Sequence, residues 1–296
     1  MKRRSLLFAA CLALTASPAA RAEEAPPAGP VFCRYVPERK DDFAWENDRV
    51  AFRAYGPALR GSAEHESSGI DCWFKRTREP IINRWYADEQ KGVSYHQDHG
   101  QGYDPYHVGS SRGCGGTGIW REGKLVTAGV YTAQRVVSLA PDEGVFELTY
   151  RYDLPDGPVQ EVKRITLKAG ESLFRSESTF TRDGKPAAVD VGVGVTTHDG
   201  RAQGSYQLKE GWIACWETID GQGVGTGVRI EPFKVYRMEE IKSEQPDESH
   251  VLLLTHTDRE GKEVHYAGFA WEGAGEVKSA KDWQKLLAAF PVSPKH

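Results

Sequence analysis

The amino-acid sequence predicts an all-β fold, an antiparallel sandwich or barrel with one helix near its C-terminal end. Runs of alternating apolar and polar residues recur along the chain, and turn-forming residues separate them at hairpin spacing. Helical segments do not alternate with these runs, so the strands are expected to pair as antiparallel neighbours rather than through helical crossovers.

The clearest hairpin joins two runs of period two, Phe146–Tyr152 and Val159–Leu167. The segment 154–158 between them has the prolines and the Asp-Gly pair of a turn. Six further runs are predicted to be strands: Leu173–Thr181, Val189–Val195, Trp212–Trp216, Gly227–Ile230, Val251–Thr255 and Val264–Trp271.

One segment, Ala280–Phe290, has the spacing of an amphipathic helix, with Trp283, Leu286, Leu287 and Phe290 on one face. We expect it to pack across the sheet as a C-terminal cap.

The first 22 residues have the three parts of a secretory signal peptide: basic residues at positions 2–4, an apolar run over 6–16 and the small-x-small sequence of 20–22. The apolar run is too short to span a bilayer, which takes about 20 apolar residues, and no later stretch approaches that length. The sequence therefore predicts a periplasmic or secreted protein without a membrane span.

The rest of the chain is predicted to be a linker and one domain. Residues 23–31 are rich in proline and alanine, a composition that cannot build a core. No internal repeat and no second low-complexity segment follows, so residues 32–296 are assigned to a single β-sandwich domain.

The charge balance excludes one class of partner. The chain has 38 Lys and Arg against 42 Asp and Glu, and the signal peptide contains only basic charges. The mature protein is therefore more acidic than the full chain. A nucleic-acid partner is not expected, because it would need a basic face to neutralise phosphates.

Cysteines beyond the signal peptide are Cys33, Cys72, Cys114 and Cys215. In an oxidising compartment they could form two disulfides, whereas buried free thiols fit equally well. The sequence favours one bridge slightly. It has no CxxC pair, so a structural zinc site is not indicated.

Residues 94–118 are predicted to be an ordered, site-bearing loop. They have neither strand nor helix periodicity, and they are rich in glycine, histidine and tyrosine. Long irregular loops in compact domains are usually functional or disordered, and these aromatics argue against disorder. The candidate catalytic residues here are His96, His99, Tyr103, His107 and Arg112, with Tyr106 as a substrate-binding residue.

The same loop has side chains that can bind a metal: His96, Asp98, His99, Asp104 and His107. Their spacing matches no established metal motif such as HExxH. No cofactor is expected, and a divalent metal stays open.

Candidates outside the loop lie at strand ends or on strands. His198 follows an apolar strand and precedes an Asp-Gly turn, so it is a candidate acid or base, or equally a turn residue. The candidate substrate-binding residues are Asn83, Tyr86, Trp216, Glu217 and His265. A strand glutamate such as Glu217 is more often solvent-facing than functional.

Several basic residues are interpreted as structural or solvated. A basic strand edge accounts for Arg49 and Arg53. The solvated surface is expected to include Arg60, Lys75, Arg76 and Arg78.

Three segments resemble a known family: Trp45–Arg49, Gly69–Trp73 and the loop sequence Tyr95–Gly109 with its pattern of His, Gly and Tyr. They are similar to secreted bacterial proteins grouped as a domain of unknown function, over nearly the whole mature chain. The resemblance implies a β-supersandwich like that of galactose mutarotases and several polysaccharide lyases. It also implies a genomic setting among enzymes that degrade pectin and other uronate polymers.

The leading functional hypothesis is β-elimination on a uronate-containing saccharide. That reaction needs a group that neutralises the carboxylate, a base for the adjacent C–H and an acid for the leaving oxygen. Arg112 or Asn83 would neutralise, His96 or His99 would be the base, and Tyr103 or Tyr106 the acid. The alternatives are a mutarotase or epimerase that uses a His acid with a base such as Glu217, a hydrolase, and a non-catalytic periplasmic sugar-binding module.

Overall fold

A computed structural model describes residues 29–61 and 66–292. The predicted signal peptide and most of the predicted linker lie outside these residues. Val31, at the end of the predicted linker, is buried, and its N–H donates to the Pro141 carbonyl. The domain thus begins within the stretch that the composition assigned to the linker.

The described chain is mostly β-strand, as the sequence predicts. The strands are β1 Phe32–Val36, β2 Asp42–Glu46, β3 Ala51–Ala54, β4 Ile70–Lys75, β5 Gly102–Tyr103, β6 Cys114–Arg121, β7 Lys124–Val126, β8 Ala133–Leu139, β9 Glu143–Tyr152, β10 Val159–Lys168, β11 Leu173–Arg182, β12 Lys185–Pro186, β13 Asp190–Thr196, β14 Gln203–Gln207, β15 Trp212–Ile219, β16 Gln222–Ile230, β17 Val235–Ile241, β18 His250–His256 and β19 Lys262–Trp271. All eight predicted strands are present.

These strands form three antiparallel sheets. The largest has the order β14-β15-β16-β19-β11-β10-β9-β8, with β12 added beside β11. One smaller sheet contains β1 to β5 in chain order, and the other has the order β17-β18-β13-β6-β7. The predicted antiparallel sandwich is therefore confirmed.

One face of the large sheet forms the main core with both smaller sheets. Phe146 and Phe174 of the large sheet contact Phe43 and Phe52 of the first small sheet, with ring centroids 4.5 Å apart for Phe43 and Phe146 and 5.1 Å for Phe52 and Phe174. Valines of β13, such as Val193, belong to the same buried cluster. Alternation of side chains along the strands gives this apolar face.

The helix α2, Ala280–Ala289, packs on the opposite face of the large sheet and confirms the predicted cap. Its Trp283 indole lies against Gly225, where an added Cβ would approach the indole Cγ to 2.4 Å. The indole N–H donates to the Thr226 carbonyl at 2.9 Å. The Ser279 hydroxyl caps the helix by accepting from the Asp282 N–H.

A second helix, α1 at Ile82–Glu89, is absent from the sequence prediction. Its Trp85 stacks on Trp73 of β4, with centroids 5.6 Å apart, and Tyr86 contacts the same indole edge-on at 5.2 Å. The helix is short, and its N-terminal residue Ile81 provides no capping side chain. It is held by this aromatic packing and by the Glu46 carboxylate, which accepts from the Ile81 and Ile82 N–H groups at 2.9 Å.

Two further observations concern the thiols and the membrane. All four cysteines in the described residues are buried and free, so the slight expectation of a disulfide is wrong for this structure. Burial raises the pKa of the Cys33 and Cys215 thiols to about 12. Among residues 29–61 and 66–292, no helix is long and apolar enough to cross a membrane.

Candidate functional site

The first half of the segment 94–118 is fixed to the β1–β5 sheet by a buried ionic cluster. Arg53 of β3 lies 2.6 Å from the Asp71 carboxylate and 3.6 Å from that of Asp104. Tyr95 accepts a hydrogen bond from Arg53 through its phenol oxygen, and its carbonyl accepts from the Asp104 N–H. Arg53 is therefore not the exposed strand edge expected from the sequence. Lys75 is likewise buried, in an ion pair with Glu46 at 2.7 Å.

Burial makes Asp42 and Asp104 hard to ionise. It raises the pKa of Asp42 to about 6 and that of Asp104 well above its usual range, and the neighbouring Asp71 charge raises Asp104 further. One guanidinium thus holds together carboxylates from three parts of the chain. Asp104 is a structural anchor of the loop.

The two histidines at the start of the loop lie at the surface. His96 has an exposed side chain whose Nδ1 lies 2.8 Å from the Asp104 carbonyl oxygen. His99 is exposed as well, and its Nε2 lies 3.1 Å from the Ser94 carbonyl oxygen. Both imidazoles are used in local backbone contacts, and each keeps one ring nitrogen available to solvent.

Asp98 connects the loop to a basic residue that the sequence assigned to solvated surface. Its carboxylate accepts from the Gly100 and Gly102 N–H groups and pairs with Arg76 at 2.6 Å. The Arg76 guanidinium lies over the Trp271 indole, 4.7 Å from the ring centroid. Asp98 and Trp271 together fix the position of Arg76.

Tyr103 lies on another side of the same indole, with ring centroids 6.0 Å apart. Its phenol donates to the Asp220 carboxylate at 2.8 Å, across 117 residues of sequence. Burial and this hydrogen bond raise the pKa of Tyr103, so the phenol is held protonated. Tyr103 and Arg76 thereby contact the same indole.

His198 forms a buried pair with Glu217. Its Nδ1 lies 2.5 Å from Glu217 Oε1, and its Nε2 lies 2.6 Å from the His107 carbonyl oxygen. The Tyr106 ring meets the imidazole edge-on, with centroids 4.7 Å apart. His198 has a φ of +43°, a conformation that is rare for non-glycine residues and that clusters at functional sites.

The hydrogen-bond pattern fixes how many protons the pair holds. A carbonyl oxygen only accepts, so His198 Nε2 must carry a proton. The contact between Nδ1 and Glu217 then needs a second proton, which either the imidazolium or the carboxylic acid provides. The pair therefore holds one shared proton and is neutral overall.

The other predicted residues of the loop are not gathered with this pair. The His107 side chain is 73% exposed, and its Nδ1 lies 3.9 Å from the Asp247 carboxylate. Arg112 is 1% exposed and donates to Ser68 Oγ and to the carbonyls of Ser110 and Thr117. Burial lowers the pKa of the Arg112 guanidinium to about 10.

Four candidates on other elements are also distributed over the fold. The Asn83 amide oxygen accepts from Arg34, and Tyr86 of α1 is buried against Trp73. Trp216 lies on the helix-covered face of the large sheet, with the cluster that contains Trp283. His265 is fully buried and lies 2.9 Å from Glu263. The structure therefore brings together His198, Glu217 and Tyr106, and separately Tyr103 with Asp98.

The candidate metal ligands do not form one site. Asp98 is held by Arg76, Asp104 by Arg53, and the His107 side chain lies near Asp247. Within the described ranges, no group of three or more His, Cys, Asp or Glu residues is arranged to hold a metal ion. The geometry thus gives no support to the metal interpretation of the loop.

A pocket beside Arg76 is lined in part by charged residues that the sequence analysis did not select as site residues. We call it the arginine pocket; its volume is about 80 Å³, and its lining includes Arg49, Arg76, Arg78, Asp48, Glu276 and Trp271. Arg49 pairs with Glu276, while Arg78 lies 3.2 Å from Asp48 and 3.3 Å from Glu276. Two buried donors in its lining, Arg49 Nε and Trp271 Nε1, have no hydrogen-bond partner among the described residues.

The sequence contained one signal for this pocket. Asp48 and Arg49 belong to the Trp45–Arg49 segment that carries the family resemblance, and Asp98 of the loop pairs with Arg76 at the pocket. Glu276 and Trp271 come from the far end of the chain, and no local pattern connects them with Arg49.

Comparison with known proteins places the chain in a family. The family model described as "Domain of unknown function (DUF4861)" matches residues 20–294. The chain is also 34% identical, over 272 residues, to "Uncharacterized protein P7" of Formosa agariphila, a match that covers 88% of this chain and 67% of that protein. The resemblance to a domain-of-unknown-function family is thus confirmed, and the chain belongs to the DUF4861 family.

Proposed function

We propose that this protein is an exported enzyme that cleaves uronate-containing oligo- or polysaccharides by β-elimination, with the sugar carboxylate bound in the arginine pocket. The observation that carries the proposal is the pair of unpartnered buried donors, Arg49 Nε and Trp271 Nε1, beside the guanidiniums of Arg76 and Arg78. A buried donor without an acceptor is unfavourable, and a carboxylate is the strongest acceptor that a sugar offers.

The size of the pocket fits an acid group better than a whole sugar. A volume of about 80 Å³ is well below the 300–1,000 Å³ typical of sites that enclose a ligand. The sugar ring would therefore lie across the rim, beside Tyr103 and Asp220. Glu276 is 46% exposed at this rim, so an incoming carboxylate can take its place against Arg49 and Arg78.

The residues at the rim match the three roles of the reaction. The arginines neutralise the carboxylate and thereby acidify the adjacent C–H. Asp220, which is exposed, takes the proton from that carbon, and the C–O bond to the leaving sugar breaks. Tyr103, held protonated, gives its proton to the leaving oxygen. The products are an unsaturated uronate and a free hydroxyl end.

These roles differ from those expected from the sequence. Arg112 cannot neutralise the substrate, because it is buried and bonded to Ser68, Ser110 and Thr117. Tyr103 keeps its expected role as the acid. Arg49 and Arg76, first interpreted as a strand edge and as solvated surface, become the neutralising groups.

The test is the ultraviolet absorbance of the unsaturated product, with pectic, rhamnogalacturonan, glucuronan and ulvan-type substrates. Tyr103→Phe should lower kcat about 10²–10⁴-fold, the usual contribution of a general acid. Arg49→Met should lower kcat/KM about 10²–10³-fold through the lost electrostatic stabilisation. Arg135→Met is the matched control, because that exposed arginine pairs with Glu147 on β9 away from the pocket.

The outcomes separate the competing functions. No absorbance change on any of the four substrate classes would overturn the lyase proposal. New reducing ends without a double bond would indicate a hydrolase, and altered anomer or epimer ratios would indicate a mutarotase or epimerase. Binding without any change in the sugar would indicate a non-catalytic module.

A further inference from the structure

A second and larger concavity lies between two sheet edges. Strand β14 ends the large sheet and β17 ends the third sheet, and neither has another strand beyond it in the described chain. The groove between them, which we call the edge groove, has a volume of about 490 Å³ and a floor that includes Thr197, Ala202, Ser249 and Val251. This volume lies within the range of sites that hold a ligand.

The wall formed by β14 offers groups that have no partner inside the protein. Tyr206 is 52% exposed, and its ring lines the groove. Neither its phenol nor the Gln203 side-chain amide is hydrogen bonded to any residue in the described part of the chain. An exposed aromatic face beside a free amide and a free hydroxyl suits a sugar ring, which has apolar C–H faces and a rim of hydroxyls.

The charges of the edge groove distinguish it from the arginine pocket. Its charged lining consists of Asp199, Glu240 and Lys242, and Lys242 lies 3.4 Å from Glu240. Asp199 accepts from the Asp247 N–H. A polyanion would meet no unpaired cation among these residues, so the lining favours uncharged sugar residues.

The edge groove is connected to the candidate catalytic rim through one strand. In the pairing of β14 with β15, Gln203 lies opposite Trp216, the residue before Glu217. Asp220, the partner of Tyr103, follows the end of β15. A saccharide chain that occupies the rim can therefore continue along β15 toward Gln203 and Tyr206.

We infer that the edge groove is a second saccharide-binding site, which takes neutral sugar residues of the substrate outside the reacting uronate. The saccharide class rests on the proposed function, whereas the choice of neutral residues rests on the groove itself. Tyr206 supplies the stacking face, and Gln203 the directed hydrogen bonds.

Affinity electrophoresis tests this inference without any need for turnover. The full mature chain is run in native gels that contain neutral polysaccharides (galactan, arabinan and xyloglucan) or polygalacturonate. At least one neutral polymer should retard the protein. Tyr206→Ala should weaken that retardation roughly tenfold, a loss that one aromatic contact can account for. Gln203→Ala should weaken it less.

The control variant is Tyr236→Ala. Tyr236 is also exposed, at 42%, but it stacks on His256 outside the groove, so its removal should leave retardation unchanged. The catalytic variant Tyr103→Phe should bind the neutral polymer as the unaltered protein does. Failure of the lyase proposal can therefore be distinguished from failure of the inference about the edge groove.

Two results would overturn the inference. One is the absence of retardation by every neutral polymer. The other is retardation that persists in both Tyr206→Ala and Gln203→Ala, which would place the binding site elsewhere. Retardation by polygalacturonate that is lost only on substitution of Arg49 would support the arginine pocket alone. If no neutral polymer binds in the same experiment, the result would also count against the edge groove.

Discussion

The Arg53 cluster and the arginine pocket contain similar residues in opposite environments. In the cluster, one guanidinium that is 5% exposed faces Asp71, Asp104 and, at 3.9 Å, Asp42. In the pocket, Arg78 has a side chain that is 70% exposed, and Arg49 and Arg76 are each about one-third exposed, at 30% and 33%. Each region takes some of its residues from segments that carry the family resemblance: Asp71 and Asp104 in the cluster, Asp48 and Arg49 in the pocket.

The two regions differ in whether a ligand can reach their charged groups. The cluster is closed by protein, so its charges stabilise or destabilise the fold and reach no solute. The pocket combines open volume with donors that lack acceptors. Both regions contain a buried arginine Nε without a hydrogen-bond partner among the described residues, Arg53 in the cluster and Arg49 in the pocket, so the open space beside Arg49 is what distinguishes the pocket.

Substitution of Arg53 should produce the largest change in stability. Arg53→Met leaves buried carboxylates without their counter-charge, and we expect a loss of about 3–5 kcal/mol in the free energy of unfolding. Urea denaturation measures it. Arg78→Met, at the rim of the pocket, should stay within about 0.5 kcal/mol. Equal stabilities of the two variants would contradict the contrast between the regions.

Arg112 provides an intermediate case, because it is buried without a carboxylate at hydrogen-bond distance. Arg112→Met should cost about 2–3 kcal/mol, since it leaves the Ser110 and Thr117 carbonyls unpaired. Denaturation and the lyase assay are measured together. A variant that keeps its stability and loses turnover would return Arg112 to the catalytic site.

Asp42 allows a test by pH. Its pKa is raised from 3.8 to about 6, so the folded state binds its proton more tightly than the unfolded state does. The resulting stabilisation is present below about pH 4 and is lost as the pH rises toward 6. Asp42→Asn should therefore gain roughly 2–3 kcal/mol relative to the unaltered protein between these pH values. A difference that is independent of pH would show that Asp42 is ionised throughout.

The smallest expected effect concerns the buried pair. Glu217→Gln can donate its amide to a neutral His198, so every hydrogen bond of the imidazole survives. Glu217→Leu leaves Nδ1 unpaired and should be less stable than Glu217→Gln by about 1–2 kcal/mol. Chemical denaturation of the two variants at neutral pH decides this. Equal stabilities would mean that the Nδ1 contact contributes nothing.

The fold was predictable where strands are long and alternate in polarity, as in β9 and β10. The prediction was less complete where glycines interrupt the alternation: β16 runs from Gln222 rather than from Gly227. It failed for α1, because eight residues without a capping side chain give no start signal. It also missed the exposed edge strand β8, where both faces have similar polarity.

The site was predictable only in part. Composition identified the segment 94–118, which is ordered, but its bounds were wrong: Gly102–Tyr103 form β5, and residues 114–118 are the first part of β6. The direction of each side chain was not predictable, because it depends on distant partners such as Asp220 for Tyr103 and Ser68 for Arg112. The selection of Tyr103 as a catalytic acid stays a prediction.

The close approach of Trp283 to Gly225 has a consequence for how this chain tolerates change. The C-terminal helix packs directly on the backbone of Gly225, so one methyl group added there would lie 2.4 Å from the Trp283 indole. Gly225→Ala, a substitution 58 positions before Trp283, would therefore be enough to displace α2 from the sheet. Substitution at Gly225 is therefore constrained by α2, even when the sequence of α2 stays the same.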